Sequence, residues 1–441
     1  MKKSTLISVI AILVFLATAC GRKPSVSADE TTGKFTFSTW GAASFYEDCF
    51  GRMQQANPDY SKLTFENMQA DSEDTLYTRL KTDFAAKSYE STPDMVEMSA
   101  YRIGEFAEAG LLVDVTEQMT PYKDKISPAV WQGISHKDHI YAIPWMTNSA
   151  MVWYREDVFK MAGVDASAIK TWDDFIAAGK VITNFNYPDG KKRYMVSIGT
   201  EEPAFMNMQL MLGQLNTSIF DANTGDVTID KDPNFHKAFD VNTRFVQESI
   251  ALEIQEWEAP WYAALGDGTL ATFISANWFS QMIKDGTLGE NQEGVWRAMA
   301  LPAFEAGGNT ASLESGSANV VIINKPGVKQ NAAWAMAQTC FLNDKVTPDL
   351  YKKHILVPAY LPALGDPAFT EADPFYGGEK IGVLDKSIQE KALMPAFPPA
   401  YNEAMSLITA QLALAMNGEK TVDQAIVDAA NDIRNNIGTS K

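Results

Sequence analysis

The chain has 441 residues, of which 46% are hydrophobic and 21% are charged. This length exceeds what one hydrophobic core usually supports, so the sequence predicts two or more domains. The formal net charge is −18, which disfavours nucleic-acid binding because phosphate contacts need clustered Lys and Arg. A charge of this sign is typical of a soluble protein.

The N-terminus has the pattern of an export signal. Lys2 and Lys3 precede an apolar run from Leu6 to Leu16, and small residues lead to Cys20. The run is shorter than the ~20 residues that span a bilayer. We predict that residues 1–19 are a signal peptide and that Cys20 becomes a lipidated first residue; ordinary cleavage beside it is the alternative. Removal of residues 1–19 changes the net charge from −18 to −20, because they hold two lysines and no acid.

Residues 20–34 are rich in Ser, Thr and charged side chains. Such a composition buries too little apolar surface to fold, so we predict a flexible tether.

The next segments alternate between strand and helix patterns. Strands are predicted at Phe35–Thr39, Leu63–Phe65 and Asp94–Ser99, with amphipathic helices between and after them. This order predicts a parallel α/β sheet, whose ligands bind beyond the carboxyl ends of the strands. The residues that follow these strand ends, and that we expect at one rim, are Trp40, Asn67 and Ser99 to Arg102.

The stretch from His139 to Phe159 predicts a crossing between two lobes. Pro144 cannot donate to a ladder, so we expect one strand to end there and a second to cover Ala150–Tyr154. A surface hairpin is the alternative. Two further passages, Gly266–Ser275 and Ser315–Asn324, have a similar flexible start followed by an apolar strand.

Later residues add local signals. Thr171 to Asp174 predicts a helix capping box, and Glu202 follows a predicted strand at Tyr194–Ile198, again at a rim. Met206, Met208 and Met211 recur at helical spacing, which favours core packing over a binding surface.

Seven short motifs, in this order, resemble those of the extracytoplasmic sugar-binding proteins of bacterial ABC importers, the group that includes maltose-binding protein. They are Phe37–Trp40, Pro93–Asp94, Glu108–Asp114, Tyr141–Pro144 before Tyr154–Asp157, Thr171–Asp174, Gly268–Phe273 with Trp278, and Asn417–Gln424.

The resemblance implies a two-lobed periplasmic-binding-protein-like α/β fold with three interlobe crossings and a ligand cleft between the lobes. It places the crossings near Ala142–Trp145, Phe273–Ser275 and Asn319–Val321. We expect an N-terminal lobe of residues 35–142 and 277–318, and a C-terminal lobe of 146–273 and 322–441. On these boundaries Cys49 and Cys340 lie on different lobes and stay unpaired.

The resemblance also implies which side chains line the cleft. Aromatic rings would stack on sugar faces, while amides and carboxylates would bind hydroxyl groups. Tyr101 and Arg102 stand where some members have an acid and an arginine, so one hydroxyl acceptor is expected to be missing. The expected ligand-binding residues are Trp40, Asn67, Ser99, Tyr101, Trp145, Asn148, Glu202 and Trp278; Trp153 and Trp172 are assigned to the core.

The sequence gives little support for a catalytic function. The sequence has no G-x-S-x-G motif, and nothing singles out the two close carboxyls of a retaining glycosidase. His136 and His139 flank a polar turn, which favours a solvated turn over a metal site. We therefore expect no catalytic residues, no cofactor and no metal.

The expected function is capture of a di- or oligosaccharide by lobe closure and delivery to an ABC-type permease. The protein would be a monomer, lipid-anchored to the bacterial cell envelope, in the periplasm or on the outer face of the cytoplasmic membrane. Two alternatives remain: the same fold with a non-sugar solute such as a polyamine, and an exported carbohydrate-active enzyme.

Overall fold

A computed structural model describes residues 28–41, 43–199 and 204–439. Residues 1–19 and Cys20 lie outside these ranges, and so do the signal-peptide and lipidation predictions. The strands are β1 Thr32–Ser38, β2 Lys62–Asn67, β3 Met95–Ser99, β4 Ser135–His136, β5 His139–Ile140, β6 Ile143–Arg155, β7 Val196–Ile198, β8 Ala251–Glu253, β9 Thr272–Ala276, β10 Trp296–Ala300 and β11 Leu313–Ile322.

The α-helices lie before, between and after these strands. They are α1 Ala28–Thr31, α2 Ala43–Ala56, α3 Glu73–Ala85, α4 Ala100–Glu108, α5 Thr116–Met119, α6 Pro128–Gly133, α7 Glu156–Ala162, α8 Trp172–Asn184, α9 Phe205–Leu215, α10 Pro233–Gln247, α11 Ala259–Gly266, α12 Phe279–Lys284, α13 Gln330–Cys340, α14 Thr347–His354, α15 Ile381–Lys391, α16 Tyr401–Met416 and α17 Val422–Asn436.

The principal sheet confirms the α/β prediction. Its order is β10-β6-β11-β3-β1-β2, and β9 pairs with β6 as well. β1 is parallel to β2 and β3, as expected when helices connect successive strands. The two smaller sheets are the hairpin β4-β5 and the parallel pair β7-β8.

β6 joins two half-sheets, because its partners change along its length. Residues Ile143 to Ser149 pair with β11, whereas Ala150 to Tyr154 pair with β9 and Met151 to Arg155 pair with β10. We call β1–β3 and β11, with residues 143–149 of β6, the first half-sheet. We call β9 and β10, with residues 150–155 of β6, the second half-sheet. The predicted interruption at Pro144 is wrong: Pro144 is the second residue of one 13-residue strand.

β11 has a bulge beside the point where β6 changes partners. Leu313 pairs with Ser149 and Ser317 pairs with Thr147, so the register shifts between them. Ser315 and Gly316 have φ values of +54° and +81°, in the left-handed region. Gly316 suits this position because a Cβ there would lie 2.9 Å from Cε of Met394.

The positions predicted for two crossings differ from the observed pairings. Phe273 to Ser275 pair with β6 alone, inside the second half-sheet. Asn319 to Val321 pair with β3, inside the first half-sheet. Strand pairing is long-range, so a flexible start followed by an apolar run does not reveal which of its residues change partners.

The apolar residues form two core clusters. The first packs around β1–β3, α2, α13 and α14, and the second around α8–α10, α16 and α17. Alternate residues of β6 pack into different clusters, because successive side chains of a strand point to opposite faces. Met151 and Trp153 belong to the first cluster, and Ala150 and Val152 belong to the second. Trp153 and Trp172 are fully buried, which confirms their assignment to the core.

This packing departs from the expected lobe boundaries. β10 pairs with the second half of β6, although residues 277–318 were assigned to the N-terminal lobe. α13 and α14 pack on α2, although residues 322–441 were assigned to the C-terminal lobe. Cys49 and Cys340 consequently share the first cluster, so their expected separation is wrong.

The first described residues also depart from prediction. α1 covers Ala28–Thr31 and β1 begins at Thr32, so residues 28–34 of the predicted tether lie in regular elements. The backbone N–H of Asn331 donates to Glu30 Oε2 at 3.0 Å, which fixes α1 against α13. Among the described residues, no helix is both long and apolar enough to cross a membrane.

Candidate functional site

A cavity of about 660 Å³ opens between the two core clusters. β3 ends at Ser99 and leads straight into α4, which brings Tyr101 to the cavity. Its lining comprises Ser72, Asp74 and Tyr101 at the starts of α3 and α4, together with residues 196–199, 204–207, 255–257, 273, 274 and 402 from later in the chain.

Three aromatic side chains form one wall of this cavity region, and we call Trp257, Phe273 and Trp278 the aromatic wall. Trp257 is 43% exposed, which is unusual for so large an apolar ring. Its ring centroid lies 5.7 Å from that of Trp278 and 6.2 Å from that of Phe273. Trp257 and Phe273 line the cavity, and Trp278 supports Trp257. A flat exposed ring held in this way suits stacking on the apolar face of a ligand.

A buried carboxylate, Glu314, fixes the indole of Trp278. Its Oε1 accepts a hydrogen bond from Trp278 Nε1 at 3.1 Å. Its Oε2 accepts from Ser275 Oγ and from the backbone N–H of Ala276, each at 2.8 Å. Burial raises the pKa of Glu314 to about 7, and these hydrogen bonds oppose the rise. Glu314 belongs to the β11 bulge, so β11 is hydrogen-bonded directly to the aromatic wall.

Polar groups at the start of α3 line the same cavity as the aromatic wall. Ser72 caps α3 by accepting a hydrogen bond from the Thr75 N–H at 3.2 Å, and Asp74 follows in the first turn. Burial raises the pKa of the neighbouring Glu73, while the hydroxyls of Ser99, Tyr77 and Tyr101 oppose the rise. These side chains offer hydroxyl and carboxylate oxygens to a ligand.

Glu256 supplies a second carboxylate on the opposite side. Ser197 Oγ donates to Glu256 Oε1 at 2.6 Å, and Trp261 Nε1 donates to Ser197 Oγ at 3.1 Å. Burial raises the pKa of Glu256. This chain of hydrogen bonds orients Glu256 next to Trp257.

The structure brings three predicted residues to this region. Tyr101 lines the cavity, and Trp278 contacts two lining rings. The Ser99 N–H donates to Tyr77 Oη at 2.9 Å, behind Tyr101. Trp40 lies nearby, edge-on to Tyr77 at 5.8 Å, but outside the cavity lining.

Other predicted residues lie elsewhere. Trp145 is 2% exposed and packs on Phe45 with centroids 4.8 Å apart, outside the cavity lining. Asn67 Nδ2 donates to Gln69 Oε1 at 3.0 Å, and Asn148 is buried at the middle of β6; neither lines the cavity. Glu202 lies outside the described residues.

Sequence reasoning did not identify Glu314, Asp74, Glu256 or Trp257 as site residues. Glu314 directly precedes the flexible Ser315–Gly316 start that the sequence did indicate, and an acid before an apolar strand was the available signal. Asp74 and Glu256 stand beside ordinary helix and loop patterns, which carry no such signal.

A larger groove, of about 930 Å³, runs past Trp131, His136, Phe220 and Pro399. None of the predicted site residues that the structure describes lines this groove. His136 and His139 flank the β4-β5 turn and bond to Glu108 and Asp114. Among the described residues, no group of three or more His, Cys, Asp or Glu has a metal-binding arrangement.

Comparison with known sequences decides the family. The profile described as bacterial extracellular solute-binding protein matches residues 42–344. The chain belongs to this family. The arabinooligosaccharide-binding protein of Halalkalibacterium halodurans is 24% identical over 361 residues, which are 80% of this chain and 77% of that protein. Its Bacillus subtilis counterpart is 24% identical over 334 residues, 73% of this chain and 72% of that protein.

Solved structures share the fold. The binding protein of B. animalis subsp. lactis Bl-04, in complex with β-1,6-galactobiose, has a TM-score of 0.75 at 17% identity, covering 93% of this chain and 99% of that one. The lacto-N-biose complex of the Bifidobacterium longum binding protein has a TM-score of 0.72 at 20% identity, covering 93% and 98%. These likenesses confirm the two-lobed α/β fold.

Proposed function

We propose that this chain captures a di- or oligosaccharide in the cavity between its lobes and delivers it to an ABC-type permease. The observation that carries the proposal is the aromatic wall, whose Trp257 and Phe273 line the same cavity as Asp74 and Tyr101. Sugars need this combination, since their C–H faces stack on rings and their hydroxyls bind carboxylate and hydroxyl oxygens. Family relatives named for oligosaccharide binding support the same ligand class.

Lobe closure would bend the chain where it crosses between half-sheets. We place the hinge at residues 147–150 of β6 and at the β11 bulge, residues 313–317. Glu314 belongs to that bulge and bonds to Trp278, so a change in the bulge would move the aromatic wall. The ligand shifts the population toward the closed form by binding it more tightly.

The remaining parts of the proposal concern the protein's surroundings. Cys20 would carry a lipid anchor after removal of residues 1–19, on the periplasmic or outer face of the cell envelope. The protein would act as a monomer, and the permease would recognise its closed form. The proposal assigns the chain no catalytic step, in keeping with a family of binding proteins.

A thermal-shift screen of the mature protein tests this function. The panel contains arabinotriose, β-1,6-galactobiose, maltotriose and their monosaccharides, with spermidine as an organic cation. A ligand at 100 times its Kd adds about 2.7 kcal/mol of stability. A stabilising sugar whose effect is lost in Trp257→Ala and kept in Trp334→Ala supports the proposal. Trp334 is a suitable control because it packs with Tyr122 on the first cluster, outside the cavity lining.

Capture of an organic cation is a second candidate function. Asp74 and Glu256 favour it, because two carboxylates in a partly aromatic cavity attract cations. Stabilisation by spermidine together with silence across the sugars would replace the first proposal with this one.

A further inference from the structure

The charged residues that line the cavity are acidic. Asp74 and Glu256 are its charged lining residues, and no Lys, Arg or His lines it among the residues that the structure describes. The two carboxylates approach from opposite sides, one at the start of α3 and one before α11. A ligand in this cavity therefore meets two carboxyl groups and no positively charged lining residue among those that the structure describes.

The cation that contacts this region is already neutralised. Arg102 is 5% exposed, and its Nη2 lies 3.0 Å from Glu105 Oε2. Its Nη1 lies 3.9 Å from Asp74 Oδ1, and its guanidinium stands over the Tyr77 ring at 4.9 Å. Arg102 thus has acidic partners on two sides and is too buried to bind a ligand's carboxylate.

From this arrangement we infer that the cavity selects uncharged sugars and rejects acidic ones such as uronic acids. A sugar carboxylate would lose its hydration on entering and would face Asp74 and Glu256 without a cation to compensate. Neutral sugar hydroxyls avoid this loss of free energy, because they donate hydrogen bonds to the same carboxylates. The inference rests on the proposed function and specifies its substrate class.

The test compares matched pairs of sugars on the mature protein. Arabinotriose, β-1,6-galactobiose and maltotriose are each titrated beside a counterpart whose primary alcohols are oxidised to carboxylates. We expect at least tenfold weaker binding of the oxidised form of whichever sugar binds. The ratio should shrink in 0.5 M salt, because screening weakens charge repulsion.

Variants identify the residues that weaken the binding of oxidised sugars. Asp74→Asn and Glu256→Gln should reduce the ratio of the Kd of the oxidised sugar to the Kd of the neutral sugar. Asp344→Asn, an exposed acid outside the cavity lining, makes the same charge change and should leave the ratio unaltered. Equal binding of both forms by the unmodified protein would overturn the inference while the proposed function stands. Binding of no sugar in either form would overturn the proposed function, and the inference with it.

An independent observation concerns the cysteines. Besides Cys20 the chain has two, Cys49 and Cys340, and the fold brings them together from 291 positions apart. They lie on the packed helices α2 and α13, both are fully buried, and Cys340 Sγ lies 3.4 Å from the carbonyl oxygen of Cys49. Burial, followed by the adjacent Cys340 thiol, raises the pKa of the Cys49 thiol.

We propose that Cys49 and Cys340 form a disulfide in the exported protein. A disulfide-bearing oxidant of the envelope would accept their two electrons by thiol–disulfide exchange: one thiolate attacks it to form a mixed disulfide, and the second displaces it as a dithiol. The exchange would occur before α2 and α13 close over the sulfurs. Oxidising compartments favour such bonds.

Peptide mass spectrometry of the protein exported to an oxidising compartment tests this bond. We expect iodoacetamide under denaturing conditions to alkylate neither cysteine without reductant and both after reduction. We also expect reduction to lower the Tm of the unmodified protein and not that of the Cys49→Ala, Cys340→Ala double variant. Alkylation of both thiols without reductant would overturn the proposal.

Discussion

Asp385 on α15 accepts a hydrogen bond of 3.0 Å from Ser149 Oγ, at the residue beside which β6 exchanges its partners. Its other oxygen accepts from Asn277 Nδ2 at 2.5 Å, and Gln389 Nε2 donates to the first at 2.7 Å. Asp385 is fully buried. One carboxylate therefore holds the crossing strand, the loop before α12 and α15 together.

Removing this carboxylate should destabilise the fold. Asp385→Ala leaves three buried donors without their acceptor, and each unsatisfied group costs about 1–3 kcal/mol. We expect the free energy of unfolding to fall by about 3 kcal/mol in urea denaturation, and by less in Asp385→Asn, which keeps one acceptor. Asp344→Ala, at an exposed acid, should change it little. A loss no larger than in that control would contradict the assigned role.

The buried acids predict that stability depends on pH. Burial raises the pKa of Glu314 and of Glu97 from 4.5 to about 7, so the folded state binds these protons more tightly than the unfolded chain does. Their contribution is therefore present at low pH and is lost as pH rises from about 4.5 to 7. At about 1.4 kcal/mol per pH unit, Glu314 contributes on the order of 3 kcal/mol.

Denaturation measured at pH 5.5 and at pH 8 checks this dependence. We expect the difference between the two conditions to shrink in Glu314→Gln, because the glutamine does not titrate. An unchanged difference would mean that Glu314 has the same pKa in the folded and unfolded chains.

Glu314 should also position the aromatic wall. Glu314→Ala removes the acceptor of the Trp278 indole, whereas Glu314→Gln retains one. We expect Glu314→Ala to weaken sugar binding about tenfold and to shift the Trp fluorescence, and Glu314→Gln to restore most of the affinity. If both variants bind as the unmodified protein does, the Glu314–Trp278 contact does not contribute to the site.

The bulge in β11 should tolerate no side chain. A Cβ at Gly316 would meet Met394 Cε at 2.9 Å and Ala100 Cβ at 3.1 Å, at a φ of +81°. Gly327 has a φ of +71°, and a Cβ there would have no atom within 4 Å, so Gly327→Ala isolates the backbone cost of about 1 kcal/mol. We expect Gly316→Ala to cost about 1–3 kcal/mol more in urea denaturation. An equal loss of unfolding free energy in the two variants would show that the bulge accommodates the added methyl group without strain.

The sequence predicted those features that depend on neighbouring residues. The capping box of Thr171 and Asp174 is confirmed, because its hydrogen bonds span three residues. Met208 and Met211 are buried as expected from their helical spacing, although Met206 of the same helix lines the cavity. Helix and strand order followed from the same local patterns.

Features that depend on distant contacts were missed. Trp145 and Trp278 both lie within two residues of a polar side chain in the sequence, yet only Trp278 contacts the cavity lining. Trp145 is enclosed because Phe45 packs on its ring and Tyr351 donates to its carbonyl oxygen. The contact between Cys49 and Cys340 likewise depends on helices far apart in the chain. Local periodicity carries no information about such pairs.

The measurement that tests the central claim most directly is calorimetric titration of the stabilising sugar into the mature protein and its Trp257→Ala and Trp334→Ala variants. Trp257 is 43% exposed, so its removal should leave the fold intact, which circular dichroism verifies. We expect Trp257→Ala to weaken sugar binding at least tenfold and Trp334→Ala to leave it unchanged. Unchanged affinity in a folded Trp257→Ala protein would contradict the claim that the sugar binds against this wall.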